Sequence, residues 1–501
     1  MSSELNTGPF QSRPHPHLYE INTWAWLEEL SARFNRHITL RDVPDSEWNS
    51  LASLGFDFLW LMGVWERSPA GRRYFQTDPG SFPSFDEALP EWKLSQIVGS
   101  PYSIRRYQPD PRIGSWADID QVRAKLRARG IGLILDFVPN HTAPDHEWTT
   151  AHPEYYIRGT QSNFRKDPSA FYLQQTSGEP QLFAHARDPY FPPWRDVLQI
   201  NYFEPAARAA LLAELRQIAG HCDGVRCDMA MLVLNDIFVR TWAPFLSGYR
   251  VPATEFWSEA TAAVPGFVWL GEVYWNCEGP IQQLGFQFTY DKGLYDALHD
   301  GDINDVHSRL AADFSSQSHA ARFLENHDEA RAAAAFGSAK LEAVGTLIAT
   351  LPGMRFYHHG QLDGRKIHLP MPLAAAAAEK PDPATRAFYE RILRLSNDPV
   401  FHSGQWNFLE LSSAGDDTFR NVVAYQWLSA NARKVAVVNL GGVTSQGRVP
   451  FPRGISPSQE YKFLDQLHDV AYPRAGAEIA ESGLYVRLDA YRAHLFDVTP
   501  L

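Results

Sequence analysis

Residues 132–141 read GLILDFVPNH, and the fold follows from how that stretch is built. An apolar run of strand length stops at polar groups, with Asp136, Asn140 and His141 closing it. A short apolar run bounded in this way fits a strand in a sheet covered by helices. Working outward, comparable runs occur at His17–Ile21, Phe56–Gly63, Gly224–Asp228, Phe267–Glu272, Phe286–Tyr290, Arg322–Glu325 and Met354–Tyr357. With Gly132–Val138 they make eight. The segments between them carry helical periodicity. Ile119, Val122 and Leu126 share a helix face that Gly130 is placed to end, and Leu211, Leu215 and Ile218 share another before Gly220. Eight strands alternating with helices predict an α/β chain closed into a (β/α)8 TIM-type barrel. An open doubly wound sheet would advertise a Gly-rich phosphate turn after its first strand, and no such turn is present.

The spacing of the strands is uneven. Roughly 80 residues separate His141 from Gly224, far more than one crossover helix needs. The excess is rich in Pro, His, Asp and aromatics (PDHEW, HPEYY, DPYFPPW), and it predicts an inserted domain at 142–201 over the barrel mouth. The barrel then comprises 1–141 and 202–397. Beyond about Asp398 the pattern becomes alternating strands such as NVVAYQWL and KVAVVNL, which predicts a C-terminal antiparallel β-sandwich domain at 398–501. The alanine runs Ala332–Ala335 and Ala374–Ala378 read as helix or linker without chemistry.

Composition narrows the function classes. Lys plus Arg total 46 against 58 Asp plus Glu, a net charge of −12, and no basic run stands out. Nucleic acid and membrane surfaces are therefore excluded as expected partners. Aromatics reach 13%, with 15 Trp, a share that suits either the faces of sugar rings or simply a large core. The odd set Cys222, Cys227 and Cys277 lacks metal-ligand spacing and suits a reducing compartment. The stretch MSSELNTGPFQSRPHPH has no apolar h-region, so the expected address is the cytoplasm.

Four strands end in chemistry. LILDFVPNH ends in Asp136, Asn140 and His141, and DGVRCDMAM carries Arg226 and Asp228. VWLGEVYW carries Glu272, and RFLENHDEAR carries Asn326, His327 and Asp328. In a parallel barrel all strand C-termini open onto one face, so these groups converge on one cleft. A single strand-end carboxylate is more often a cap or salt-bridge partner. Asp228, Glu272 and Asp328 gathered with two histidines and an arginine would cost several kcal/mol to bury without a role.

These segments resemble, in order, the four conserved regions of the α-amylase family of glycoside hydrolases: DFVPNH, GVRCD, LGEVY and FLENHD. The resemblance spans about residues 15–500 and covers the insertion after the third strand and the C-terminal β domain. It implies a retaining reaction with Asp228 as nucleophile and Glu272 as acid/base, the two carboxyl groups lying about 5–5.5 Å apart. Glu272 would be kept protonated by burial or by neighbouring carboxylates. Arg226, two residues before Asp228 and on the same strand face, would hold the nucleophile ionised. Asp328 would grip sugar hydroxyls as the third carboxylate, and His141 and His327 would bond the sugar in subsite −1. Tyr102 matches the family tyrosine that stacks on that sugar, although the usual Gly-Tyr-Asp reads Pro-Tyr-Ser here. Cys227 points away from the cleft and reads as core.

The chain also departs from the family. The Lys and His that follow the nucleophile in many α-amylases are Met231 and Leu232, and a family Asp near the end of the insertion is Gln199. Asn140 retains one candidate calcium ligand, but an oxygen cage of six or more is not visible, so the chemistry is expected to require no cofactor. In the eighth-strand region, LPGMRFYHHGQLDGRK, Arg355, His358, Arg365 and Lys366 could form an anion or acceptor site, or simply a charged loop. The implied function is hydrolysis of α-glucosidic bonds in glucans or maltooligosaccharides. A transglycosylase or isomerase would use the same carboxylates, and a scaffold that had lost catalysis would typically lack one of them.

Overall fold

The computed structural model describes residues 10–175, 179–451 and 454–501. Residues 1–9 of the stretch MSSELNTGPFQSRPHPH, from which no export leader is expected, lie outside the described residues. Eight parallel strands close into a barrel: β1 (His17–Asn22), β2 (Phe58–Met62), β3 (Gly132–Phe137), β4 (Gly224–Cys227), β5 (Val268–Gly271), β6 (Phe288–Tyr290), β7 (Ala320–Arg322) and β8 (Met354–His358). Each strand pairs with its sequence neighbour, and β8 returns to β1 with His17 opposite Arg355. Every residue of β1, β2, β3 and β8 is buried, which is why β2 and β3 read as nearly continuous apolar runs, while β1 and β8 also bury charged groups. Six of the 15 tryptophans, including Trp60, Trp257 and Trp269, are fully buried. Much of the aromatic excess is therefore core, each such side chain contributing at least about 1.5–3 kcal/mol. Gly224 opens β4 because a Cβ there would lie 2.7 Å from the Val268 carbonyl oxygen.

Two local readings are corrected, the seventh strand and the end of the Gly220 helix, and the alanine runs divide between the two alternatives. The seventh strand is Ala320–Arg322, not Arg322–Glu325; Phe323 and Leu324 are apolar because they are buried, without pairing in the barrel. The helix Pro205–His221 runs through Gly220, whereas Gly130, at φ +75°, does lie past the end of Trp116–Arg127. Ala374–Ala378 is irregular while Ala332–Ala335 is helical.

Two excursions rise from the barrel's C-terminal end. The one after β3 carries a four-stranded antiparallel sheet in the order His141–Thr142, Trp194–Gln199, Gln181–Ala186, Phe171–Gln174. The one after β2 was not foreseen. It pairs Trp65–Arg67 with Ile104–Pro109 and adds the helices Pro69–Thr77 and Phe82–Ala88. Its small core, Phe85, Ala88 and Ile97, packs against Leu373 from the segment after β8. Tyr102 rides on this second excursion.

The C-terminal chain folds into a six-stranded antiparallel sheet and a two-stranded sheet, Ser445–Val449 with Leu484–Leu488. Period-two alternation divides the larger sheet's faces. Val422, Ala424, Val435 and Val437 turn to the core between the two sheets, and Val423, Tyr425, Trp427, Ala436 and Val438 join the barrel core. The second face is fixed by Trp427 Nε1, which donates to Thr350 O at 2.7 Å.

Candidate active site

The backbone ladder continues past the strand ends on one side of the barrel. Asp228 N donates to Phe137 O at 2.9 Å, Glu272 N to Cys227 O at 3.0 Å, and Ala230 N to Glu272 O at 2.9 Å. Asp228 and Glu272 are therefore held on neighbouring rungs. Met229 then takes the left-handed conformation, φ +41°, uncommon and costly for a side chain of its size. That turn aims its N–H at Glu272 Oε2, 2.9 Å away.

Arg226 lies beneath both carboxylates. Its Nη1 donates to Asp228 Oδ1 at 2.8 Å, its Nη2 to Glu272 Oε2 at 2.6 Å, and its Nε to the Tyr290 hydroxyl at 3.2 Å. The guanidinium sits 5.2 Å from the Trp60 and Tyr102 ring centres, so aromatic faces replace the water it has lost. Cys227, between the two, is buried on the opposite side of the strand. Tyr274 donates from its hydroxyl to Glu272 Oε1 at 2.7 Å.

Burial raises the pKa of both Asp228 and Glu272, and Arg226 opposes the rise in each. Glu272 is pushed further by the charges of Asp228 and Asp328. Asp328 behaves differently. Burial works against its charge, but His327 outweighs it and holds the carboxyl down to about 2, while its side chain remains 34% exposed to the mouth. His327 faces acceptors from both ring nitrogens, Glu20 Oε1 at 2.5 Å from Nδ1 and Asp328 Oδ2 at 3.1 Å from Nε2. Burial disfavours its charge, yet Asp328 and Glu20 raise it well above the ordinary imidazole value. Both nitrogens thus carry protons, and the Tyr102 hydroxyl, 2.7 Å from Nε2, accepts.

His141 lies 4.0 Å from Asp228 Oδ2, and burial lowers its pKa to about 3, so its ring is neutral. Asp136 is withdrawn from the cleft: its oxygens accept from Trp60 Nε1 at 3.1 Å and Gly63 N at 2.7 Å. The fold therefore brings Asp228, Glu272, Asp328, Arg226, His141, His327 and Tyr102 to one end of the barrel. Sequence reasoning missed Glu20, Trp60, Tyr274 and Tyr290. A glutamate inside the fully buried strand HLYEIN was the available signal for the first.

Gln199 Nε2 donates to Asn140 O and Asn140 Oδ1, both at 3.0 Å, and to Ile200 O at 3.1 Å. A neutral amide thus occupies the middle of three oxygens where a cation would sit, and these residues do not fit calcium. The suggested anion site does not form. Arg355 lies toward the opposite end of β8 and donates to Leu351 O and Phe401 O. Arg365 is bound by both oxygens of Glu29, and His358 is engaged by Glu325 and Arg331. Lys366 is exposed.

A closed (β/α)8 barrel whose mouth gathers three carboxylates around one buried arginine defines a barrel enzyme with a polar reaction centre. The model of the α-amylase catalytic domain matches residues 46–233, a span that includes Arg226 and Asp228. The α-amylase MalA of Haloarcula japonica is 24% identical over 415 residues, covering 80% of this chain and 52% of that protein. The chain spans about half the length of the curated relatives it matches. The maltogenic α-amylase AmyB of Thermotoga neapolitana shares the fold with a TM-score of 0.68, 18% identity, and coverage of 97% of this chain and 99% of the other. A trehalulose synthase mutant shares it with a TM-score of 0.64 and 16% identity, covering 97% and 99%. Over residues 46–233 the chain is similar to the catalytic domain of the α-amylase family, and its fold is that of the solved α-amylases.

Proposed function

We propose that this protein is a retaining glycosidase that cleaves α-glucosidic bonds of α-glucans or maltooligosaccharides. The observation that carries the reading is the single guanidinium of Arg226 shared by Asp228 and Glu272. Two carboxyl groups one guanidinium apart suit the closer of the two glycosidase spacings, about 5–5.5 Å, which retention uses. Asp228 attacks the anomeric carbon, with Arg226 opposing the protonation that burial favours. Glu272 is raised toward the protonated state and delivers its proton to the leaving oxygen. It then takes a proton from the water that releases the glycosyl-enzyme. Asp328, ionised beside His327, holds sugar hydroxyls at the mouth. Tyr102 supplies a stacking face and His141 a neutral donor. The insertion at 142–201 forms the roof, supported by the edge-on contact of Trp194 with His141, 5.7 Å between rings. Three free thiols, Cys222, Cys227 and Cys277, support a cytoplasmic setting. No helix among the described residues is long and apolar enough to cross a membrane.

A second reading keeps the same carboxylates and replaces water by a sugar acceptor. Met231 and Leu232 are apolar and buried where many relatives carry Lys and His. A groove of ≈ 780 Å³ runs past Met229, Tyr274 and Trp275, beside the residues that bond Glu272. The apolar Met231 and Leu232 offer water no hydrogen-bond partner in place of Lys and His, which favours transfer. Incubation of the protein and its Asp228→Ala variant with maltooligosaccharides, sucrose and trehalose, with and without phosphate, separates the readings. Shorter sugars released by the unmodified protein alone support hydrolysis, and longer products, isomers or sugar phosphates assign transfer. Turnover that survives Asp228→Ala refutes the assignment of the nucleophile.

A further inference from the structure

Among the described residues, Asp465, His468 and His494 form a group whose metal-ligating atoms all lie within 4.8 Å of one another. They belong to the C-terminal sheets. Asp465 ends the strand Glu460–Asp465, and His494 stands on the adjacent strand Ala493–Pro500, where Asp465 pairs with Phe496. His494 is two residues from that pairing, so it shares a sheet face with Asp465 as a diagonal neighbour. His468 comes from the turn that follows, closed by Asp469 N donating to Asp465 O at 2.8 Å.

The buried carboxylate is anchored on one oxygen and presented on the other. Oδ1 accepts from the backbone N–H groups of Leu467 at 3.0 Å and Leu495 at 3.2 Å. Oδ2 faces His468 Nδ1 and His494 Nδ1, both at 2.7 Å. Both rings are oriented from behind. His494 stacks on Phe496 with centroids 4.9 Å apart. His468 turns its Nε2 to Glu342 Oε1, 3.5 Å away, on the barrel helix Gly337–Thr350. A carboxylate behind a ligating imidazole is the outer arrangement that fixes tautomer and raises ligand basicity in metal sites. Glu342 is itself held by Arg492 Nη1 at 2.6 Å and Ala493 N at 2.9 Å.

We propose that Asp465 Oδ2, His468 Nδ1 and His494 Nδ1 bind one divalent first-row transition ion, with zinc the best match, and that Glu342 positions His468 from the barrel side. Two imidazoles and one carboxylate suit zinc and disfavour calcium or magnesium, which take oxygen ligands. Zinc bonds of about 2.0–2.2 Å give tetrahedral edges of roughly 3.3 Å, so the imidazoles need withdraw only about 0.6 Å from their present contacts. The side chain of His468 is 36% exposed, which leaves an approach for the ion and room for water as the remaining ligand. The ion would tie the sheet to the barrel helix at a place the proposed glycosidase chemistry does not use.

The test uses the full chain stripped with a chelator, desalted, and titrated with zinc chloride by calorimetry. Cobalt(II) absorption serves as a second probe. The unmodified protein is expected to bind one more ion than His468→Ala and to show tetrahedral cobalt bands that His468→Ala lacks. Glu342→Gln is expected to weaken binding by about 10–100-fold without abolishing it. His468→Ala removes a partly exposed side chain from a turn, so a melting curve taken alongside confirms that it is folded. Zinc should raise the melting temperature of the unmodified protein and leave that of His468→Ala unchanged. Equal stoichiometry in the two proteins, or no binding by either, would mean that Asp465 simply accepts two imidazole N–H groups, and would overturn the proposal.

Discussion

Replacing Arg226 by glutamine tests the electrostatic core of the site. The native guanidinium is fully buried and compensates Asp228 and Glu272 together. Glutamine keeps a donor but removes the charge. Removing one partner of a buried ion pair costs about 3–5 kcal/mol. Since 1.36 kcal/mol corresponds to one pKa unit, that cost equals about 2–3.5 units in total. Shared between two carboxyls, it is about 1–2 units each. The acid limb of kcat/KM, set by ionisation of Asp228, should therefore move up by about 1–2 units, with a 10–100-fold loss of rate on the acid side. Stability should follow a matching sign. In the variant the folded carboxyls bind protons more tightly than the unfolded chain, so the deficit is smallest below about pH 4 and grows as pH rises through the raised folded values. The assay is a pH–rate profile on an aryl α-maltoside, paired with melting curves across the same range. An acid limb that stays in place, or a melting deficit independent of pH, would refute this account of Arg226.

Tyr274→Phe removes the hydroxyl that donates to Glu272 Oε1 and so disfavours the ionised acid/base. The basic limb of the same profile should rise by about one unit, and a downward shift would contradict the assignment. Gln199→Leu strips Asn140 Oδ1 and Ile200 O of the amide that donates to them. It should cost about 1–3 kcal/mol in denaturant unfolding, and added calcium should not restore it. Recovery with calcium would show that the three oxygens form a cation site after all.

The barrel was legible because strands such as β2 and β3 are buried on both faces and so leave a nearly continuous apolar run. The same rule misplaced the seventh strand, since Phe323 and Leu324 are buried by packing alone and burial leaves the same mark as pairing. The excursion between β2 and β3 left no comparable trace. Its core is a handful of aromatics spread over short helices, and its partner, Leu373, is far away in the chain. At the site, groups that directly follow a strand were visible because charge succeeds an apolar run. Glu20 was not, because its meaning depends on His327, 307 positions away. The role of Gln199 was equally hidden. The sequence shows a lost acid, while only three dimensions show that the amide fills the space between oxygens.

The ladder that runs from Phe137 through Asp228 and Cys227 to Glu272 has a consequence for how such an enzyme can diversify. Adjacent strands lie about 4.8 Å apart whatever their side chains, so the gap between the two principal carboxylates is inherited from the barrel wall. Mutations in the excursions above can enlarge, narrow or reline the entrance without disturbing that interval. For the proposed glycosidase, the bond-breaking step and the choice of sugar thus become separable traits, one set by main-chain geometry and the other free to drift with the loops.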